Sequence, residues 1–517
     1  MTSFSRRDAL KLMGAIAANA LLVGGRPWID SIQTNESGKP NLIILVIDTL
    51  SARHMSLYGY ERPTTPNFER FASRASVYHS HYSGGNFTTP GTATILTGRY
   101  PWGHRAINLG SPVARSTVDD NLFRLLGEGR TNAAFTQNIL ADVFLQQFRH
   151  DIHMHVPIAS YSREIKAIDI SRFFPADPLV AHFAFDDFLV NSDVTRNPVP
   201  GSAYLGYLDL FYGQMHKALG EPSQEYPRGM PSTGKYYYDN QAVYACVFEM
   251  IQELDTRVQS FLTYVHLLSP HAKYSARKEF VGIFPEIEVP FKKHHKLANR
   301  VRQSLLNEYR MQYDEYIANV DAEFGSLLDK LESSGILDHS YLIVTSDHGE
   351  LFERGENGHN TSLLYDGVIH IPLLISAPGQ RNRRDVHSRT SNVDLLPTLL
   401  HISDTDIPLG LDGSVLPGFG GEEDPSRSVF AVEAKTDSAF GPLKRATVTL
   451  MKENYKLIYY GDYARYPNVF ELYDLTDDIE EKKNLMSAGP AIASALKEEL
   501  LDTLNAVNKS SEYSKKS

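Results

Sequence analysis

Cysteine is nearly absent: Cys246 is the only one in 517 residues. That excludes a disulfide within the chain and any cysteine-based metal site. A long basic run is also missing, and the formal charge is −11, which argues against a nucleic-acid backbone as partner. No long hydrophobic run stands out either. The N-terminal apolar stretch Leu12 to Val23 is short and alanine-rich, so no stable membrane span is expected once a leader is removed. What remains is a soluble, globular composition, 42% apolar and 22% charged, in a chain long enough for two or more domains. Its 28 Tyr and 25 Phe suit large packed loops and a sugar- or lipid-like ligand.

The first residues argue for export. Ser5-Arg6-Arg7-Asp8-Ala9-Leu10-Lys11 precedes the apolar stretch, and Ala18-Asn19-Ala20 offers small residues for cleavage. Residues 1–25 therefore read as a twin-arginine signal, which implies a periplasmic or extracellular protein exported already folded. Such a route needs no disulfide, in agreement with the single cysteine.

Two apolar runs end in candidate metal ligands. Asn41 to Ile47 delivers Asp48, and Tyr341 to Ser346 delivers Asp347-His348-Gly349-Glu350. Ligands collect outside the carboxyl ends of strands in open α/β sheets, so Asp48, Asp347 and His348 can meet at one hard-cation site. Between them, helices are expected over residues 64–75 with an Asn cap, over 90–97 with Pro90 at the first position, and from Val118 to Gly127. Residues 150–300 show no sustained period and read as insertions that shape a substrate site. Within them, the cluster Lys292, Lys293, His294 and His295 reads as a solvated face. Tyr309 to Ser334 is the clearest helix, with Tyr313, Tyr316, Ile317, Val320, Phe324, Leu327, Leu328 and Leu331 on one face and Gly335 as its left-handed cap. A further strand spans Ile371 to Ser376. From about Asp424, four short strands (428–432, 446–450, 455–460 and 470–473) and a helix from Ala491 to Val507 predict a small antiparallel domain. The tail from Asn508 is polar and expected to be disordered. The fold class is α/β: a large, mostly parallel sheet sandwiched by helices over 40–420, then a smaller antiparallel sheet domain over 425–507.

Gly84-Gly85-Asn86-Phe87-Thr88-Thr89-Pro90-Gly91-Thr92 supplies a candidate nucleophile, Thr88 or Thr89, just ahead of a helix whose dipole favours an anion. A metal on the threonine oxygen would lower its pKa, although Thr before Pro is equally a good helix cap. His266 and His271 follow the run Phe261 to Val265, and His359 lies in Gly358-His359-Asn360; histidines there can protonate a leaving oxygen or hold an oxyanion.

In their order these motifs resemble the sulfatases and sulfatase-like enzymes of the alkaline phosphatase superfamily. The matching pieces are Asn41 to Leu50, Pro63-Thr64-Thr65-Pro66-Asn67, Leu96-Thr97-Gly98-Arg99-Tyr100-Pro101, Ser269-Pro270-His271-Ala272-Lys273-Tyr274, Thr345 to Glu350, Ile371 to Ile375 and Glu471 to Leu475. The resemblance implies one divalent ion (Mn, Mg, Zn or Ca) held by Asp48, Asp347, His348 and the Thr88 oxygen, with Thr88 as nucleophile and His271 and His359 at the reacting oxygens. It also implies a small-molecule, glycan or lipid-headgroup ester as substrate. The departures matter. Sulfatases convert Cys or Ser, followed by x-Pro-x-Arg, to formylglycine; here Thr88 and Thr92 stand at the nucleophile and arginine positions, and the paired aspartates are reduced to Asp48-Thr49. The expectation is therefore phosphoryl-type transfer or hydrolysis. Sulfate-ester hydrolysis without formylglycine, and a non-catalytic binder of anionic glycans or headgroups, are the alternatives.

Overall fold

The structure, a computed structural model, describes residues 39–162 and 220–513 apart from 234, 235, 288 and 490. The expected signal segment 1–25 lies outside the described residues, as do residues 163–219 of the expected insertions.

Alternation along the first strand, β1 (Asn41–Ile47), explains the layering. Ile43, Leu45 and Ile47 enter one hydrophobic core while Leu42, Ile44 and Val46 enter another on the opposite face. A strand apolar on both sides must lie inside a sheet covered on both faces. The sheet has eight strands: β1, β2 (Ser76–Tyr78), β3 (Thr131–Thr136), β4 (Met154–Val156), β5 (Phe261–Leu267), β6 (Ser340–Thr345), β7 (Leu373–Ser376) and β8 (Arg384–Val386). Their spatial order is β8-β2-β7-β6-β1-β5-β3-β4. Only β7 runs against its neighbours, pairing antiparallel with β6 and β2; the remaining pairs are parallel. The carboxyl ends of β1, β6, β5 and β3 thus open side by side, and the site forms there.

Helices α1 (Pro66–Ala72), α2 (Thr88–Thr97), α3 (Ile139–Gln147), α4 (Asn240–Arg257), α5 (Gln303–Ser333) and α6 (Leu395–His401) cover the sheet. All eight apolar residues expected on one face of α5 are buried in the first core. At about 2 kcal/mol for each large apolar side chain removed from water, that face fixes the helix against the sheet. Gly335 follows with φ +77°, the left-handed cap expected. Helix α1 begins on Pro66 rather than under an Asn cap. Its free N–H groups at Asn67 and Phe68 are taken by the Asp321 carboxylate of α5 (3.0 and 2.9 Å), a partner too remote in sequence to foresee. Helix α2 starts two residues before Pro90, which places Thr88 and Thr89 in its first turn. The helix expected from Val118 is shorter, Leu122–Leu126, and is capped by the Asn121 side chain.

The C-terminal domain is a meander of β9 (Val429–Glu433), β10 (Thr447–Lys452), β11 (Tyr455–Tyr460) and β12 (Val469–Asp474), antiparallel throughout. Helix α7 (Ala491–Tyr513) lays Leu496, Leu500 and Leu504 on Val448, Leu450 and Leu457. It runs past Val507, where a loose tail was expected, and Asn508 is anchored by hydrogen bonds in both directions with the Leu443 backbone. Within the basic cluster at 292–295, Lys293 is exposed as expected, but Lys292 and His295 differ. Lys292 is largely buried between Glu353 and Glu480 (2.5 and 2.8 Å), and His295 is buried against Tyr460 and Glu471. These acidic partners come from distant segments, which is why the local charge run suggested solvent.

Candidate active site

Asp48 leaves β1, and its backbone N–H donates to Leu267 O of the neighbouring β5 (2.9 Å). Thr49 follows at φ +61°, a left-handed turn that a β-branched residue adopts only under constraint. The constraint is visible: Thr49 N–H donates to Asp347 Oδ1 (3.3 Å) and its carbonyl accepts from the Tyr313 hydroxyl (2.5 Å). Asp347 leaves β6 in the same way, with Ser346 Oγ accepting from Leu50 N–H (3.0 Å). The two strand ends are therefore tied across β1 and β6. Gly91 of α2 sits so close that a Cβ there would lie 2.2 Å from the Asp347 carbonyl oxygen, so only glycine lets α2 approach this strand end.

Asp48, Asp347 and His348 are fully buried, and one ligand atom of each lies within 4.8 Å of the others. His348 Nδ1 bonds the Gly349 carbonyl (2.9 Å), which leaves its Nε2 as a lone pair 3.4 Å from Asp48 Oδ1 and 3.5 Å from Asp347 Oδ2. Both of those carboxylate oxygens are buried without a hydrogen-bond partner. Burial, and then the charge of Asp347, push the Asp48 carboxyl well up, and burial raises Asp347. Burial and neighbouring His359 push His348 well down. Two crowded carboxylates facing a neutral imidazole lone pair fit a hard or borderline divalent cation.

Thr88 Oγ1 lies 3.4 Å from His348 Nε2 in the first turn of α2. Thr89 turns elsewhere: its hydroxyl accepts the Gly110 N–H (3.0 Å). Of the two threonines, it is Thr88 whose hydroxyl lies beside the Asp48, Asp347 and His348 cluster. The His359 ring lies 4.4 Å from that of His348 and 4.9 Å from that of His271, centre to centre, tilted against both. All six residues expected at the site meet in one place.

Three more belong to it. Asn138, just past β3, donates Nδ2 to Asp48 Oδ2 (2.5 Å) and to Thr88 Oγ1 (3.2 Å). It lies two residues beyond a strand end, a signal that needed only the sheet order to be useful. His266, the last but one residue of β5, brings Nε2 to 3.5 Å from Asp347 Oδ2 and 3.8 Å from Asp48 Oδ2. Burial holds His266 neutral, at about 4. Glu350 is buried under His359, 3.1 Å from its Nδ1. Burial would raise the Glu350 carboxyl, but the charge and hydrogen bond of His359 outweigh it and hold it low.

The family described as Sulfatase matches residues 40–405, and the family described as N-sulphoglucosamine sulphohydrolase, C-terminal, matches 355–509. The chain belongs to the sulfatase family. Sulfatase homologues lie in the alkaline phosphatase-like superfamily, and sulfatase-family enzymes use a divalent metal. Among relatives, the chain is 30% identical to arylsulfatase K of Bos taurus over 211 residues, 39% of this chain and 37% of that protein. The chain thus spans little more than a third of that relative's length. It is 23% identical to choline-sulfatase of Rhizobium meliloti over 87% of this chain and 83% of that one. Among solved structures, a phosphonate monoester hydrolase from Silicibacter pomeroyi superposes with TM-score 0.63 at 19% identity, covering 90% of this chain and 95% of that one. A structure solved with D-glucosamine-2-N,6-O-disulfate reaches the same score at 16% identity, covering 92% and 98%. These likenesses establish the large α/β fold with its small antiparallel domain. Among the described residues, no helix is long and apolar enough to cross a membrane.

Proposed function

We propose that this sulfatase-family protein cleaves or transfers a phosphate ester through Thr88, with Asp48, Asp347 and His348 as metal ligands and His271 and His359 as proton-handling groups. The observation that carries the reading is the Thr88 hydroxyl in the first turn of α2, 3.4 Å from His348 Nε2 and hydrogen-bonded by Asn138, which also holds Asp48. A divalent ion bound there would polarise the ester and lower the pKa of the Thr88 hydroxyl.

The chain's own groups divide the remaining work. Asn138 orients the Thr88 oxygen, and the N-terminus of α2 favours the negative charge that gathers around it. Thr88, its hydroxyl proton released to solvent, bonds Oγ1 to phosphorus as the bond to the leaving oxygen breaks. His359, braced by Glu350, is placed to give that oxygen its proton. His271 bonds the Ala272 carbonyl through Nδ1 (2.6 Å), and burial and His359 depress its pKa. It is therefore a neutral base with Nε2 available to take a proton from water or an acceptor alcohol. That second attack displaces the Thr88 oxygen, which regains its proton. A threonine ester must be released by such an external nucleophile, because threonine cannot form the aldehyde hydrate that expels sulfate.

Sulfate-ester hydrolysis is the second reading, favoured by the family match itself. Matched aryl phosphate monoester, phosphodiester and sulfate ester, assayed with Mn, Mg, Ca or Zn, separate the two. Phosphoester cleavage that disappears in Thr88→Ala supports the proposal, and dominant sulfate release refutes it. The arginine pair at Ser5 to Lys11 supports export by the twin-arginine route, tested by the mature N-terminus of the secreted protein.

A further inference from the structure

The C-terminal domain reaches the catalytic loop through the end of β9. Val432 N–H donates to Gly84 O (2.9 Å), four residues before Thr88. Just beyond β9, Lys435 Nζ donates to the carbonyl and side-chain oxygens of Asn360 (2.7 and 2.8 Å), the residue after His359. The Lys435 carbonyl accepts from Asn108 Nδ2 (2.9 Å), in the loop whose Gly110 N–H holds Thr89. Three separate contacts thus fix Lys435 beside the nucleophile loop and the His359 loop, on the side where Asn360 is exposed to solvent.

Its ammonium group makes no direct ion pair, although the charges of Glu433 and Glu356 lie near enough to favour it. Both partners are neutral oxygens of Asn360, and among the described residues no carboxylate makes an ion pair with it. The two nearby acids are committed elsewhere. Glu433 accepts from the Tyr463 hydroxyl (2.7 Å) and the Lys435 backbone N–H (3.0 Å), and Glu356 is held by Asn299 (2.7 Å). An ammonium with three donors and two neutral acceptors keeps one N–H for a ligand.

We infer that Lys435 reads a second anionic group on the substrate, carried by the leaving-group side and distinct from the ester that reacts. The inference rests on the catalytic reading above only for the position of the ester. It narrows the substrate class to esters whose leaving group bears a carboxylate or another acidic substituent. A half-buried charge-assisted hydrogen bond of this kind favours the anionic ligand by about tenfold or more.

Binding without turnover tests it. In Thr88→Ala protein with its divalent ion, calorimetry compares phenyl phosphate with 4-carboxyphenyl phosphate, and the corresponding pair of sulfate esters. The carboxylated member should bind about tenfold more tightly. The preference should vanish in Thr88→Ala/Lys435→Met and survive in Thr88→Ala/Lys435→Arg, with melting temperatures confirming that each variant folds. Equal affinity within both pairs, no measurable binding of the carboxylated ligands, or a preference that persists in the Lys435→Met protein would overturn the inference. Failure of the catalytic reading shows separately, as wild-type protein that binds the phosphate pair with this preference yet cleaves neither.

Discussion

Asp48→Asn offers a test in which stability and function should move in opposite directions. Oxygens of Asp48 and Asp347 lie within 4.8 Å of each other in a fully buried site. At an effective dielectric near 20, two charges at that distance repel by about 3 kcal/mol. Asparagine keeps the shape and can still accept from Asn138 Nδ2, losing only the charge assistance of that bond, about 1 kcal/mol. The metal-free variant should therefore gain about 2 kcal/mol. For a chain of this length, with an unfolding entropy near 2 cal/mol/K per residue, that corresponds to a rise of about 2 °C in melting temperature. The folded carboxyl of Asp48 is raised above its unfolded value. Its proton-linked contribution is therefore full below the unfolded pKa and lost as pH rises through the folded one, so the variant's advantage should grow with pH. Cation reverses the order: wild type gains about 2.7 kcal/mol at a hundredfold excess over Kd, and the variant gains little. Differential scanning fluorimetry in EDTA and in Mn or Mg at two pH values reads all four corners. A variant that melts below wild type in EDTA would refute the reasoning, because it would show that Asp48 is satisfied by its protein neighbours without a cation.

Asn138→Ala should lower kcat by about 10- to 100-fold, as loss of groups that orient metal ligands commonly does, with a small change in KM; steady-state kinetics on the best ester checks it. Gly91→Ala should destabilise, although Ala in place of Gly at an open helical site gains about 1 kcal/mol, because its Cβ would meet the Asp347 carbonyl at 2.2 Å; reduced cation affinity by calorimetry together with a lower melting temperature is the expected pair of results. Burial would raise Glu471, but hydrogen bonding and charge from His295, and hydrogen bonds from the hydroxyls of Tyr365 and Tyr466, hold it at about 2 against its ordinary 4.5. On the order of 3 kcal/mol of stability should therefore be present above pH 4.5 and be lost progressively toward pH 2. Glu471→Gln should flatten that part of a urea-denaturation profile against pH.

Much of the site was legible because strand ends announce it. Asp48 and Asp347-His348 each follow an uninterrupted apolar run, and two such runs in a parallel sheet point their exits the same way. Helix α5 and the four C-terminal strands were legible for a similar reason: one period, sustained, with a glycine or turn at its end. Asn138 was not, because its value comes from β3 lying next to β5, which sequence spacing does not encode. His266 looked like a strand-exit residue, yet it lies within β5, and only the pairing of Val46 with His266 brings it under both aspartates. Lys292 and His295 misled because their counter-charges, Glu353, Glu480 and Glu471, arrive from other loops. Where two segments meet through tertiary contact alone, neither carries the information by itself.

The bond from Val432 to Gly84 has a bearing on how such chains can diversify. It joins the C-terminal meander to the loop that leads into Thr88, so a different meander seated on the same bond would bring different side chains to the same loop. A chimera that exchanged residues 425–513 while keeping the original loop 105–111 would sever the Asn108 clasp and misplace the incoming side chains. Exchange of the two segments together preserves the seam, which makes that pair, rather than the domain boundary in the sequence, the natural unit of transplantation.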